Sequence, residues 1–229
     1  MIELINLKKA YTGRTVLSID NLTIKEKEFI GLVGNNGAGK TTMLSLILDL
    51  IKPSGGVVTS KQKLVSESDD WKTYTGSFLG EGFLIPFLTP MEFLEFIGGL
   101  HGKKSSDAMD FLSESAGFFT EEINHKKYIR DHSAGNKNKL GILAAIFTDP
   151  EVLILDEPFS NLDPSSQAWL KSKLKNLNEG GVTILISSHD LKHVTDICGR
   201  IVLLEKGVII KDCKTNVETL PELEQYFNV

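Results

Sequence analysis

The sequence predicts an α/β fold with a mostly parallel sheet, interrupted by an all-helical insertion. Two observations carry that expectation. Apolar runs that end in glycine, acids or serines (FIGLVG at 29–34, VLILDEP at 152–158 and VTILISS at 182–188) are separated by helical stretches, the pattern of strands buried on both faces of a sheet. Between Phe83 and Pro150, by contrast, no strand-like run occurs. The chain has 229 residues, 41% of them hydrophobic and 24% charged, which is enough apolar material for one large domain or a domain with a subdomain.

In order along the chain, IELINL alternates as a strand, LTI precedes a Lys/Glu turn, and FIGLVG is a buried strand. MLSLILDLI reads as a helix expected to stop at Pro53 and Gly55-Gly56, and VVTSKQKLV as a strand or hairpin. PMEFLEFIGGLHG and SDAMDFLSESAGFF are helical. So is the stretch after Ser133, which serves as N-cap with Leu140, Leu143, Ala144 and Phe147 along one face. Asp163 caps the next helix, Pro164 fits its first turn, Leu170, Leu174 and Leu177 form its stripe, and Gly180-Gly181 ends it. GRIVLLEKGVII resembles a hairpin, and a short helix follows. The expected division is 1–81 with 150–229 as core and 82–149 as helical subdomain.

Formal net charge is −5, so no basic surface for nucleic acid is expected. Cys198 and Cys213 fit neither a disulfide framework nor a zinc site and read as reduced structural thiols of a cytosolic protein. The opening MIELINLKKAYTG lacks the pattern of a signal peptide, and no apolar stretch approaches the ~20 residues that cross a bilayer.

Gly34-Asn35-Asn36-Gly37-Ala38-Gly39-Lys40-Thr41, followed by Thr42, matches the phosphate-binding loop between a strand and a helix, the mark of a P-loop NTPase. Its N–H groups and helix dipole suit a phosphate, Lys40 reaches the β- and γ-phosphates, and the Thr41 hydroxyl ligates Mg²⁺. Asp156 and Glu157 end an apolar strand. Asp156 is expected to hold Mg²⁺ through water and Glu157 to orient or deprotonate the attacking water. His189 follows ILISS and is a candidate contact for the γ-phosphate or that water. The run Asn136-Lys137-Asn138-Lys139 lacks the aspartate that reads guanine, which favours adenine.

These motifs, in this order, resemble the ATPase subunits of ATP-binding cassette (ABC) transporters. GNNGAGKT corresponds to the Walker A loop, VLILDEP to Walker B, Ser160-Asn161-Leu162-Asp163 to the D-loop, and SSHD to the switch histidine. The resemblance implies an antiparallel β subdomain, with Tyr11 stacked on adenine and Val16 at its edge. HSAGN at 132–136 stands where the family has its Leu-Ser-Gly-Gly-Gln signature, which in a head-to-tail dimer meets the γ-phosphate held by the other subunit. Ser133, Ala134, Gly135 and Asn136 would act there in trans, Ser133 through its hydroxyl and Gly135 through its N–H.

The departures are His132 for leucine, Ala134 for glycine and Asn136 for glutamine. A further one concerns the family's Mg²⁺-binding glutamine. Straight counting puts Gly80 at that position and a one-residue shift puts Glu81 there. Glu81 is taken as the metal ligand because glycine has no side chain, the alternative being a solvated loop residue. Phe78, Phe83, Phe87, Phe93 and Phe96 are expected to be mostly core, some lining a groove for a membrane subunit. The resemblance implies an ATPase using ATP and Mg²⁺, a homodimer or heterodimer of cassettes, and a separately encoded integral-membrane permease, with export as the expected direction. It implies a place in the cytoplasm, peripheral at the inner face of the membrane through that permease. A weakly active cassette supporting a heterodimer, or a non-transport ABC ATPase, is the alternative.

Overall fold

The computed structural model describes residues 1–119 and 126–227; the part of the expected helical segment at 120–125 lies outside the described residues. Strands β1 (Ile2–Tyr11), β2 (Arg14–Ile24), β4 (Gly55–Ser60) and β5 (Lys63–Leu64) form an antiparallel sheet in the order β2-β1-β4-β5. A second sheet runs β10-β9-β3-β8-β7-β6, built from β3 (Phe29–Val33), β6 (Thr75–Phe78), β7 (Val152–Leu155), β8 (Thr183–Ser188), β9 (Arg200–Glu205) and β10 (Val208–Lys214). Its strands pair in parallel except at the β9–β10 edge, the hairpin expected from GRIVLLEKGVII.

Successive residues of a strand face opposite sides of its sheet, and the central strands are apolar on both. Leu153, Leu155, Ile184 and Ile186 join a core with Phe78 of β6 and with Phe93 and Leu143 of the helical layer. Val152, Ile154 and Leu185 instead join Leu4, Leu17, Met43 and Leu44 beneath the antiparallel sheet. The parallel sheet is therefore the middle layer, which leaves the carboxyl ends of β3, β7 and β8 as the edge where polar residues emerge.

Helix α1 (Lys40–Ile47) ends earlier than Pro53 requires. The Leu50 N–H bonds the Ser45 carbonyl at 2.9 Å, and the Asp49 N–H bonds Leu46 O at 3.2 Å. Asp49 at φ 48° completes a left-handed helix stop of the kind usually made by glycine. Gly55 and Gly56 belong to β4, not to that stop. A short helix α2 (Asp70–Tyr74) precedes β6.

Between β6 and β7 the described residues form helices α3 (Pro90–Leu100), α4 (Ser105–Glu114) and α5 (Ala134–Phe147), with no strand among them. Thr89 and Glu92 make the capping box that starts α3. Ser133 caps α5 as expected, accepting the Asn136 N–H at 3.3 Å. The single apolar face expected of α5 is too narrow a description, since every residue from Asn138 to Phe147 is buried. Helix α6 (Pro164–Glu179) starts at the Asp163 cap, with Leu170 and Leu174 fully buried and Leu177 partly so. Helices α7 (Leu191–Ile197) and α8 (Thr219–Phe227) complete the chain as described.

Candidate nucleotide site

The site lies at the carboxyl edge of the parallel sheet. Residues 34–39 turn the chain from β3 into α1, and Gly39, at φ 108°, supplies a left-handed cap that a side chain would oppose. Tyr11, Val16, Asn35, Asn36, Gly37, Gly39, Lys40, Thr41, Thr42 and Glu157 line one cleft of about 320 Å³. Two expected members stand elsewhere. Gly34 turns its carbonyl to the Lys40 ammonium at 2.7 Å, and Ala38 faces a second hollow toward Tyr226 and Phe227 of α8.

Lys40 is only 6% exposed, and its ammonium also lies 3.2 Å from Glu157 Oε1. The other Glu157 oxygen accepts the His189 N–H at 3.3 Å and lies 2.8 Å from His189 Nδ1. Glu157 itself sits at φ 48°, a conformation uncommon outside glycine that turns its carboxylate out of the strand line. Ser187, at the end of β8, fixes this corner. Its hydroxyl accepts the Glu157 N–H at 2.8 Å and donates to Asp156 Oδ1. Asp156 Oδ2 accepts the Thr41 hydroxyl at 2.5 Å. Strand β7 thus delivers one carboxylate to Thr41 and the next to Lys40 and His189.

Thr41 and Asp156 together offer hard oxygen donors on an exposed side of the site, a donor set that fits Mg²⁺. Glu81 stays outside this pair. It lies in a 3₁₀ turn (Glu81–Phe83), and its carboxylate pairs with Lys137 of α5 at 3.5 Å. Gly80, the position given by straight counting, has φ 134° and ψ 174°, a backbone region essentially restricted to glycine. A residue with a side chain at position 80 would strain this backbone.

HSAGN lies apart from the cleft residues. Ser133 and Ala134 are exposed at the start of α5, while Gly135 and Asn136 are half-buried. Sequence reasoning missed three polar residues here: Ser187, Asn138 and Lys139. Asn138 and Lys139 are buried against the 158–163 segment, so this run serves packing. Their only signal in the sequence is that they close the polar run Asn136–Lys139 just where the apolar run from Leu140 begins. Ser187 carried none beyond standing at a strand end.

Asp163 is saturated with donors. The hydroxyls of Ser165 and Ser166, the Ser166 N–H and the Lys139 ammonium hold its carboxyl well below the usual carboxylate range. Of the aromatic cluster, Phe78 and Phe93 are core, but Phe83, Phe87 and Phe96 are 55%, 65% and 49% exposed, so most of it is surface. Cys198 is buried, which pushes its thiol up, and both cysteines are free. No described helix is long and apolar enough to cross a membrane.

A glycine loop with its lysine, a strand-end aspartate on the loop threonine, and a glutamate paired with a histidine define a P-loop ATPase of the cassette type. The chain belongs to the ABC transporter family, whose model matches residues 17–160. It is 35% identical to the bacitracin transport ATP-binding protein BcrA of Enterococcus faecalis, over 93% of this chain and 68% of the relative. It is 33% identical to the linearmycin resistance ATP-binding protein LnrL of Bacillus subtilis, over 92% and 68%. An ABC transporter ATP-binding protein of Bacillus subtilis, YhcH, is 32% identical over 99% of this chain and 74% of its own length. Among solved structures, the post-hydrolysis dimer of the cassette MJ0796 bound to ADP and Pi superposes with a TM-score of 0.83. It is 27% identical, covering 94% of this chain and 99% of that one. The chain is thus an ATP-binding ABC ATPase.

Proposed function

We propose that two copies pack head to tail around two ATP molecules and drive a separately encoded membrane permease, in the direction of export. The observation that carries the catalytic part is the Glu157 carboxylate held between Lys40 and His189. In this reading Lys40 and the loop N–H groups bind the phosphates, and Tyr11 and Val16 hold the base. Glu157 takes the proton of the attacking water, and His189 keeps that carboxylate oriented. Thr41 and Asp156 would hold Mg²⁺, which when bound neutralises charge on the phosphates. Ser133 and Gly135 of the partner copy close each site, with the α5 N-terminus adding its dipole.

The segments 1–81 with 150–229, and 82–149, are read as the units that shift on hydrolysis. Phe83, Phe87, Phe96 and Leu100 are exposed on the helical unit, with Arg130 over the ring of Phe87. Exposed apolar side chains on this unit suit permease docking. Similarity to proteins named for bacitracin transport and linearmycin resistance supports export over import.

The test is ATPase rate against concentration of the purified chain, with Glu157→Gln as control. A rate that climbs faster than linearly and disappears in the variant is the expected result. A rate strictly proportional to concentration, carried by a chain that stays monomeric, would sink the trans-completed site.

A further inference from the structure

The first turns of α5 are fastened to the segment that follows Glu157 in the same chain. The buried Lys139 ammonium donates to Asp163 Oδ2 at 3.1 Å. The Asn138 amide nitrogen donates to the carbonyls of Pro158 at 3.2 Å and Ser160 at 2.8 Å. Gly135 lies so close to Asn161 that a methyl group added there would stand 2.7 Å from its carbonyl oxygen. Residues 135, 138 and 139 of one helix therefore meet points spread along 158–163. An ammonium this buried is tolerated only with its acceptor in place, and a satisfied buried polar network fixes one geometry rather than several.

We propose that Asn138 and Lys139 are positioning residues. They lock the Ser133–Gly135 turn to the 158–163 segment, so the backbone just after a chain's own Glu157 sets where that chain's turn meets the partner copy's nucleotide. This rests on the head-to-tail reading above. Its distinctive consequence is that loss of Lys139 harms the site in the partner, not the site on the same chain.

Two covalent pairs, each of two chains joined end to end by a flexible linker so that partners cannot exchange, separate the cases. In the first, Lys139→Met and Glu157→Gln share one chain, paired with wild type; the surviving Glu157 site then faces the altered turn. In the second, a Lys139→Met chain pairs with a Glu157→Gln chain, and the surviving site faces an unaltered turn. Both hold the same substitutions, so a folding defect lowers them equally.

The first should fall about tenfold or more below a wild-type and Glu157→Gln pair, the scale expected for a misplaced catalytic contact. The second should match that pair. Lys139→Arg in place of Lys139→Met should restore the first, since a guanidinium reaches the same carboxylate. Equal loss in both pairs, or loss in neither, overturns the positioning role. A Glu157→Gln chain that stays monomeric in ATP overturns the head-to-tail reading itself.

Discussion

His189 Nδ1 lies 2.8 Å from Glu157 Oε2. The histidine follows β8 and the glutamate follows the neighbouring β7, so the parallel register of the sheet brings them together rather than any sequence proximity. The remaining Glu157 oxygen faces Lys40, which leaves the carboxylate oriented from both ends.

Glu157→Gln should therefore lower ATP turnover by about 10²–10⁴-fold, the usual worth of a positioned general base. ATP binding should persist, because the loop and Lys40 are untouched. His189→Ala should give a smaller loss, as it removes one of the carboxylate's two holders. Steady-state turnover measured beside equilibrium ATP binding checks both, and a parallel loss of binding would contradict the assignment.

Asp156→Asn keeps the shape of the Thr41 contact but removes the charge suited to a divalent cation. The Mg²⁺ requirement for turnover should move about 10–100-fold higher, the scale seen when metal-site partners are altered. Chelation of Mg²⁺ should abolish turnover in the wild type. A Mg²⁺ titration follows both effects, and an unchanged titration curve in the variant would remove Asp156 from the metal site.

Gly135→Ala forces a methyl group to 2.7 Å from the Asn161 carbonyl, which must shift. Crowding of this kind costs about 1–3 kcal/mol. Ser133→Ala should cost about 1 kcal/mol by removing the α5 cap. Chemical denaturation measures both. Turnover should fall further for Gly135→Ala than the loss of folded protein explains.

His193 is packed against the ring of Phe159 at 4.6 Å between centroids, and its Nδ1 has no hydrogen-bond partner. Burial holds its pKa below the ordinary 6.5, with Asp190 opposing. The folded chain therefore takes up this proton less readily than the unfolded chain. The associated stability is complete above pH 6.5 and is lost as pH falls through the lowered value. His193→Phe should flatten the fall in the urea midpoint as pH drops below about 6.5. A wild-type curve already flat there would contradict the burial argument.

The loop, the Asp156-Glu157 strand end and His189 were legible because each motif has a fixed spacing and a required local backbone. Ser133 and Asp163 were legible as caps by residue type. The use made of Asp163, Asn138 and Lys139 was not, because it depends on how α5 lies against 158–163, a contact between distant stretches of chain. The end of α1 was misjudged because Asp49 takes a left-handed stop normally announced by glycine. Glu81 is expected at a metal, whereas its carboxylate pairs with Lys137 of the distant helix α5, and nothing local in 76–82 reveals that pairing.

The central claim is that ATP joins two copies through the Ser133–Gly135 turn. Sedimentation of the Glu157→Gln chain, with ATP and then with ADP, tests it most directly. The chain should be a dimer in ATP, a monomer in ADP, and a monomer in ATP once Ser133→Glu is added. A dimer that forms equally in ADP, or that survives Ser133→Glu, would contradict that claim.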